Sequence, residues 1–412
     1  ILIFYCMQKY TIIKEIGRGA YGEVSQAIEN SSQKIVAIKK IFQKGSMTDA
    51  SKMVELQYFQ KIGKHQNVVT LYELIREKDG TLYFVFEFID QGSLYDYLCK
   101  CQKLNKAPKE AETKSIIHNI LLGIAHIHNN DFMHRDIKVE NVLMQSDPSG
   151  IKLQLNPTQV LPKIADLGCA KSTRTRFVCN TPYTGTRWYR AIELLLRDKT
   201  YGKANDIWAI GCIAFEIFTL HPLFQGQSEL DMMHLILQQF GPLQEGEWPE
   251  YQALAQAINY VSAIPVSSQK YQTGNGHERI VTKLGQMMKG ASTEMVDCIA
   301  WMLELNPARR YTAAQLLNHP WIKGETIGSS NHSTSNPIFQ NAMNILKKPP
   351  YTSSSKTNQV VSAADSESGN KEINPQRSFS IGVNVKKTTD VIKDNTGFDD
   401  IDLGQLPSDD DF

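Results

Sequence analysis

His134-Arg135-Asp136-Ile137-Lys138-Val139-Glu140-Asn141 is the octet whose reading decides the fold. It places a carboxylate, a lysine and a carboxamide within a few residues, directly before the apolar pair Val142-Leu143. A solvated loop would account for the charges, but not for this order of residue types ahead of an apolar run. On its N-terminal side, Ile116, Ile117, Ile120, Leu121, Ile124 and Ile127 repeat with the 3.6 period of an amphipathic helix. On its C-terminal side, Lys163-Ile164-Ala165 reads as an apolar strand that ends in Asp166-Leu167-Gly168 and offers a second carboxylate.

Further toward the N-terminus, Gly17-Arg18-Gly19-Ala20-Tyr21-Gly22-Glu23-Val24 lies between two β-branched runs, residues 10–16 and 24–28. Glycines let a backbone approach phosphate closely and present N–H donors to it. Taken alone the pattern is weak, and a plain hairpin turn would also produce it. A dinucleotide fingerprint needs a helix directly after the glycines, and a strand follows here. Lys39 closes the buried-strand pattern Val36-Ala37-Ile38-Lys39. A lysine in that place either snorkels outward or meets an anion. One strand after a glycine loop, a phosphate partner gains weight, and Glu55 on the helix marked by Met53, Leu56, Phe59 and Ile62 is the carboxylate available to hold it.

The chain therefore reads as α+β and bilobal. A strand-rich lobe over residues 10–89, with runs at 35–42 and 82–88 and one helix, precedes a mainly helical lobe over residues 90–323. Residues 207–220 are apolar nearly all round, as a helix buried inside a lobe should be. Ligands favour the cleft between two such lobes. Past residue 324 the composition turns to serine clusters, a Lys347-Lys348-Pro349-Pro350 run and the acidic Asp409-Asp410-Asp411. Few aromatics and no sustained period make residues 324–412 a tail expected to be disordered. Residues 1–9 are expected to be an N-terminal extension, with 1–6 not native to the protein and Met7 opening the reading frame.

Composition narrows the class. Apolar residues make up 42% and charged residues 21%, ordinary for a globular protein, and a net charge of +1 gives no global field toward nucleic acid or an anionic membrane. The seven cysteines are scattered, and Cys99 and Cys101 alone lie close, at a spacing unlike a zinc knuckle, so free thiols are expected. The most apolar stretch, residues 207–224, is broken by Glu216 and His221, so no membrane insertion is expected.

The glycine loop, the V-A-I-K lysine, the octet, the D-x-G and an Ala191-Ile192-Glu193 box occur in an order that resembles the protein-kinase signature set over residues 10–323. The resemblance implies ATP and Mg²⁺. It puts Gly17, Gly19 and Gly22 over the phosphates and Lys39, held by Glu55, on the α/β-phosphates. Ile16, Val24, Ala37 and Leu143 would sandwich the adenine beside Phe86 and the hinge at Glu87 and Phe88. Asp136 would accept the proton of a substrate hydroxyl, Lys138 would steady the γ-phosphate, and Asn141 and Asp166 would hold Mg²⁺. Phe59, Leu71, His134 and Leu167 would stack as an internal spine, and Glu193 would pair with Arg310. Leu167 stands where Phe is usual and Ile192 where Pro is usual, and both are packing positions. The segment 145–162 is longer than the usual connection and receives no role. Lys138 matches the serine/threonine pattern rather than the tyrosine one. A scaffold that has lost catalysis is the alternative, but it normally lacks one of Lys39, Asp136 and Asp166.

Thr181-Pro182-Tyr183, followed by Thr186-Arg187-Trp188-Tyr189-Arg190, resembles the activation segment of mitogen-activated protein kinases and their relatives. That resemblance implies switching by an upstream activating kinase. Phosphate on Tyr183 would meet Arg187 and Arg190, and phosphate on Thr181 would meet Arg135, with Lys171 and Lys52 nearby. Residues 186–196, residues 219–227 and Trp248-Pro249-Glu250 resemble the male germ cell-associated and intestinal-cell kinase group, whose pattern differs at Pro182 and Val139. This implies proline-directed serine/threonine protein substrates, an upstream activating kinase and a link to the cilium or flagellum. A monomer is expected, and the scattered free thiols suit the cytoplasm or nucleus.

Overall fold

The computed structural model of the chain describes residues 3–4, 7–19, 22–41, 61–156, 158–166, 171–172, 187–261 and 275–324. Six strands form the first sheet: β1 (Ile3–Phe4), β2 (Tyr10–Gly19), β3 (Gly22–Glu29), β4 (Ile35–Ile41), β5 (Leu71–Arg76) and β6 (Leu82–Glu87). Their order is β1-β5-β6-β4-β3-β2, with β1 parallel to β5 and the other neighbours antiparallel. Strand alternation divides the side chains between two faces. Tyr10, Ala27, Val36, Ile38, Ile75 and Val85 cluster on one, and Leu74, Leu82 and Phe84 cluster separately. The register lines Val24, Lys39 and Phe84 across the sheet and sets Ala37 opposite Phe86.

Two departures from the sequence reading concern this lobe. β5 gave no strand signal of its own, because Tyr72, Glu73 and Arg76 interrupt its apolar positions. The N-terminal residues are part of the sheet's edge rather than outside it. Ile3 and Phe4 pair with Leu74 and Ile75, the Met7 N–H donates to Glu77 Oε1 at 2.6 Å, and Lys9 Nζ lies 2.8 Å from Glu73.

The helical region begins with α1 (Leu94–Lys103) and α2 (Glu110–Asn129). Ser93 and Asp96 form a capping box that starts α1. Then come β7 (Phe132–Met133), β8 (Val142–Ile151), β9 (Val160–Ile164) and β10 (Lys171–Ser172), with β8 paired to β9 and β10 to β7. The remaining helices are α3 (Ile192–Leu195), α4 (Ala204–Thr219), α5 (Glu229–Phe240), α6 (Tyr251–Ala257), α7 (Gly276–Met287), α8 (Thr293–Met302), α9 (Ala313–Leu317) and α10 (Pro320–Lys323). Every residue of α4 from Asn205 to Ile217 is buried, as its unbroken apolar character requires, and Trp208 packs against Phe224 and Phe240. Residues 325–412, on which the tail expectation falls, lie outside the described residues.

α7, α8 and α10 meet at a charged cluster. His277 stacks on Trp301 at 3.8 Å between ring centres, with Nδ1 3.0 Å from Glu304 and Nε2 3.2 Å from Asp297. Asp297 also takes His319 Nε2 at 3.0 Å. Burial alone would lower the His277 imidazole, but its hydrogen bonds to Asp297 and Glu304 outweigh that and push it up to about 9. The bond to His277, followed by that to His319, holds Asp297 well below the usual carboxylate range. Because folding raises His277 from 6.5, its contribution is complete below that pH and is lost as the pH rises through about 9. Urea unfolding of the wild type should therefore show falling stability between neutral pH and about 9, whereas His277→Gln should start lower and vary less across that window. Parallel curves for the two proteins would contradict this.

Candidate functional site

The octet's geometry is set by Asp206, in the first turn of α4 and fully buried. Its Oδ2 accepts the His134 N–H at 2.8 Å and its Oδ1 the Arg135 N–H at 2.7 Å, while His128 Nε2 on α2 lies 2.8 Å from Oδ2. Burial would raise this carboxyl, but the hydrogen bond and charge of His128, with His134, hold it below the usual range. The clamp keeps Arg135 at φ 70°, a left-handed conformation that a β-carbon disfavours. That turn brings Asp136 to Lys138 and Asn141. His134 itself is buried, with Nε2 2.9 Å from the Ala165 carbonyl oxygen.

Asp136 is held in turn. Asn141 Nδ2 donates to its backbone oxygen at 2.8 Å and to Oδ2 at 3.0 Å, and Lys138 Nζ lies 3.0 Å from Oδ2. Burial would lower Lys138, yet the Asp136 charge beside it pushes the amine up, so it stays a cation. Asn141 spends its amide N–H groups on Asp136, which leaves its carboxamide oxygen as the atom that can face a metal. The Ala165 N–H donates to the Asn141 carbonyl oxygen at 2.8 Å, tying the octet to the next acidic residue.

Asp166 has φ 57°, and its Oδ1 lies 2.9 Å from Lys39 Nζ on β4. Lys39 is buried, whereas the Asp166 side chain is 43% exposed. A buried ammonium in a strand and a carboxylate remote in sequence thus face one another across the cleft. Above them, a β-carbon on Gly17 would meet nothing within 4 Å, while one on Gly22 would stand 2.2 Å from the Lys40 carbonyl oxygen. Gly17 therefore borders open space, and Gly22 is required by the closeness of β3 to β4. The backbone of Gly19 pairs with Gly22. Ile16 is exposed, and Val24, Ala37, Phe86, Glu87, Phe88 and Leu143 are half-buried. Beside them Glu87 Oε1 accepts the Thr70 N–H at 2.7 Å and pairs with Lys163 at 2.9 Å.

The donor set suits a nucleotide and a divalent cation. Mg²⁺ is held by one or two carboxylate-type oxygens completed by phosphate and water, and Asn141 with Asp166 supplies that number. The open space below Gly17 and the cation Lys39 suit a polyphosphate. The residues present fit the group.

Arg187 and Arg190 flank Tyr189. Arg187 Nη1 donates to the Gln227 carbonyl oxygen at 3.2 Å, and Arg190 pairs with Glu229 at 2.9 Å. Burial, opposed by Glu229 and aided by repulsion from Arg187, lowers the Arg190 guanidinium from its ordinary value. Arg135 donates to the Tyr201 hydroxyl at 3.1 Å. The buried Tyr189 hydroxyl donates to Glu216 at 2.7 Å, and burial pushes Glu216 up to about 7. The expected Glu193–Arg310 pair is formed, bidentate at 2.7 and 3.1 Å and wholly buried.

Glu55, Phe59, Leu167, Thr181, Tyr183 and Lys52 lie outside the described residues, as does the Lys171 side chain. Sequence reasoning missed Asp206, His128 and Glu229. The signal for Asp206 was available, because a carboxylate opening an otherwise apolar helix has to find buried donors.

A model of the protein kinase domain matches residues 10–322. Serine/threonine-protein kinase ICK of Rattus norvegicus is 35% identical over 347 residues, covering 84% of this chain and 50% of the relative. Serine/threonine-protein kinase MAK of Mus musculus is 36% identical over 330 residues, covering 79% and 47%. Cyclin-dependent kinase F-4 of Oryza sativa subsp. japonica is 33% identical over 345 residues, covering 84% and 66%. The chain spans about half the length of the first two. No helix among the described residues is long and apolar enough to cross a membrane.

Asp206→Asn exchanges one buried acceptor oxygen for a donor facing another donor. It should lower unfolding stability by about 3–5 kcal/mol, the range for breaking a buried charged network, as read from denaturant unfolding. A change below about 1 kcal/mol, the scale of one neutral hydrogen bond, would refute the clamp.

Proposed function

Since the chain belongs to the protein kinase domain family, we propose that it transfers the γ-phosphoryl group of ATP to serine or threonine hydroxyls of protein substrates. The observation that carries this is the 2.9 Å approach of Lys39 Nζ to Asp166 Oδ1, in the cleft that also holds the Asp136, Lys138 and Asn141 cluster. Gly17, Gly19 and Gly22 cover the phosphates, and Lys39 with Glu55 orients them. Ile16, Val24, Ala37, Phe86 and Leu143 enclose the adenine, whose edge bonds to the backbone of Glu87 and Phe88.

Asn141 and Asp166 hold Mg²⁺, which supplies neutralisation of the phosphate oxygens. Asp136 accepts the proton of the substrate hydroxyl, and Lys138 places positive charge where the transferring group's negative charge spreads. Catalysis of this kind is mostly positioning and electrostatics, and the Asp206 clamp supplies the positioning.

The activation segment extends the reading. Phosphorylation of Thr181 and Tyr183 by an upstream kinase would give Arg135, Arg187 and Arg190 an anionic partner. Proline-directed substrates and action at the cilium or flagellum rest on the resemblance to the male germ cell-associated and intestinal-cell kinases, and a monomer in the cytoplasm or nucleus completes the proposal.

Radiolabelled ATP-Mg²⁺ with Ser-Pro, Thr-Pro and control peptides tests the proposal. The full chain should label proline-flanked acceptors, and Lys39→Met or Asp166→Asn should lose at least about a hundredfold of the rate while still unfolding in one cooperative transition. Turnover comparable to wild type in either variant would mean that the sites are misassigned. Separately, Thr181→Ala with Tyr183→Phe should lower turnover to the level seen after phosphatase treatment of the wild type. An unaltered rate in that double variant would remove the switch.

A further inference from the structure

The segment 145–162, without a role in the cleft, builds a surface elsewhere. β8 continues to Ile151, and the loop after it folds onto α1 and the start of α2. Leu153 is buried there. The Gln154 N–H donates to Glu112, Gln154 Nε2 to the Ala107 carbonyl oxygen at 2.6 Å, and Lys100 Nζ to the Leu155 carbonyl oxygen at 2.7 Å. These contacts leave a cavity of about 620 Å³ lined by Lys109, Glu112, Lys152 and residues 153–156.

Lys109 and Lys152 line the cavity, and Lys100, Lys103 and Lys106 are exposed on α1 and the turn that follows it. Among the described residues, none of the five stands in an ion pair. The local carboxylates are taken up by hydrogen bonds instead. Glu110 accepts the Ser292 N–H and Trp321 Nε1, and Glu112 accepts the Lys109 and Gln154 N–H groups. A chain with a net charge of +1 thus concentrates unneutralised cations beside one concavity, and Leu104, 58% exposed, stands among them.

We infer that this lysine-rimmed cleft docks an acidic segment of a partner protein, one whose carboxylates alternate with apolar residues. The carboxylates meet the lysines, and the apolar residues meet Leu104 and the leucine-bearing wall formed by residues 153–156. A nucleic-acid strand fits less well, because none of the cleft's lining residues is an aromatic that could stack on a base. A membrane fits less well, because the cations surround a concavity rather than one face of a protruding amphipathic helix. β8 starts at Val142 and runs from Leu143 to this cleft, so a docked protein is held on the strand that begins at the catalytic cleft. Such tethering raises the local concentration of its acceptor hydroxyls.

Binding is independent of catalysis, and only the kinetic consequence rests on the proposed kinase activity. With the full chain, fluorescence anisotropy of a labelled peptide of alternating aspartate and leucine should report binding that weakens with salt. Lys103→Glu, Lys106→Glu and Lys152→Glu together should weaken it at least about tenfold, and arginine at the same three positions should restore it, with all unfolding midpoints equal. Fused to an acceptor peptide, the acidic segment should lower KM without changing kcat, and the glutamate variant should lose that difference. Equal binding by the glutamate variant would overturn the inference. Tighter binding of single-stranded DNA or phosphatidylserine vesicles, lost in the same variant, would overturn it too. Peptide binding without any turnover by the wild type would support docking and count against the kinase reading.

Discussion

One buried carboxylate organises this molecule. Asp206 lies in a helix whose surroundings are almost wholly apolar, where an unpaired charge would cost several kcal/mol. It is tolerated because His128 and two consecutive backbone N–H groups converge on it. The dependence runs both ways. Those two N–H groups can point to a single carboxylate only if the chain turns sharply between His134 and Asp136, and Arg135 at φ 70° is that turn. A left-handed non-glycine residue costs of order 1–3 kcal/mol, comparable to one charged hydrogen bond. Two such bonds therefore suffice to hold the conformation, and loss of the acceptor would release it.

From this fixed loop, order propagates through backbone as well as side chains. Asn141 bonds back to Asp136 and, through its carbonyl, to Ala165, so the second acidic residue is placed relative to the first. Asp166 then reaches the sheet through Lys39, and Lys163 on β9 reaches it through Glu87. The Val69 N–H donates to the Ile164 carbonyl oxygen, and the Ile164 N–H to that of Asn67, both at 2.9 Å. Gly123 on α2 is part of the same junction, since a β-carbon there would lie 2.7 Å from the Asn67 carbonyl oxygen. Among the described residues, a clip of backbone bonds and the Lys39–Asp166 and Lys163–Glu87 pairs join the two lobes, besides the covalent connection after Glu87. Of these links, Lys39–Asp166 is the more exposed at its acidic end and so the one that solvent or a phosphate can most readily displace.

Sequence legibility followed the range of the interactions involved. The octet, the glycine loop and the lysine strand were readable because their chemistry lies in contiguous residues of unusual type. The buried α4 was readable from its apolar run. β5 was not, because its strand identity comes from pairing with β6 and β1 rather than from its own mixed composition. The edge strand at Ile3 and Phe4 escaped for the same reason: two residues carry no period, and only the partner strand defines them. The segment 145–162 looked like surplus length in one dimension, yet in space it completes a hairpin and seals α1 to α2. Asp206 was present in the sequence, but its partners arrive from α2 and from the loop after β7.

The arginines after the activation segment illustrate how far composition alone can mislead. Read along the chain, Arg187 and Arg190 are two cations waiting for an anion. In space Arg190 already has one, Glu229, which Arg197 also approaches at 3.8 Å. Under the proposed phosphorylation, an incoming phosphate would have to exchange with a carboxylate rather than fill an empty place. The exchange favours phosphate for two reasons. It carries about −1.5 to −2 charges and three acceptor oxygens against a single shared negative charge. Arg187, whose buried Nε has no hydrogen-bond partner among the described residues, offers an additional donor that Glu229 does not use. Glu229 loses little in the exchange, since it is partly exposed and keeps Arg197 within reach. A carboxylate in that position stabilises the arginines without committing them, so under the proposed switch the same cations would serve the fold before phosphorylation and the segment after it.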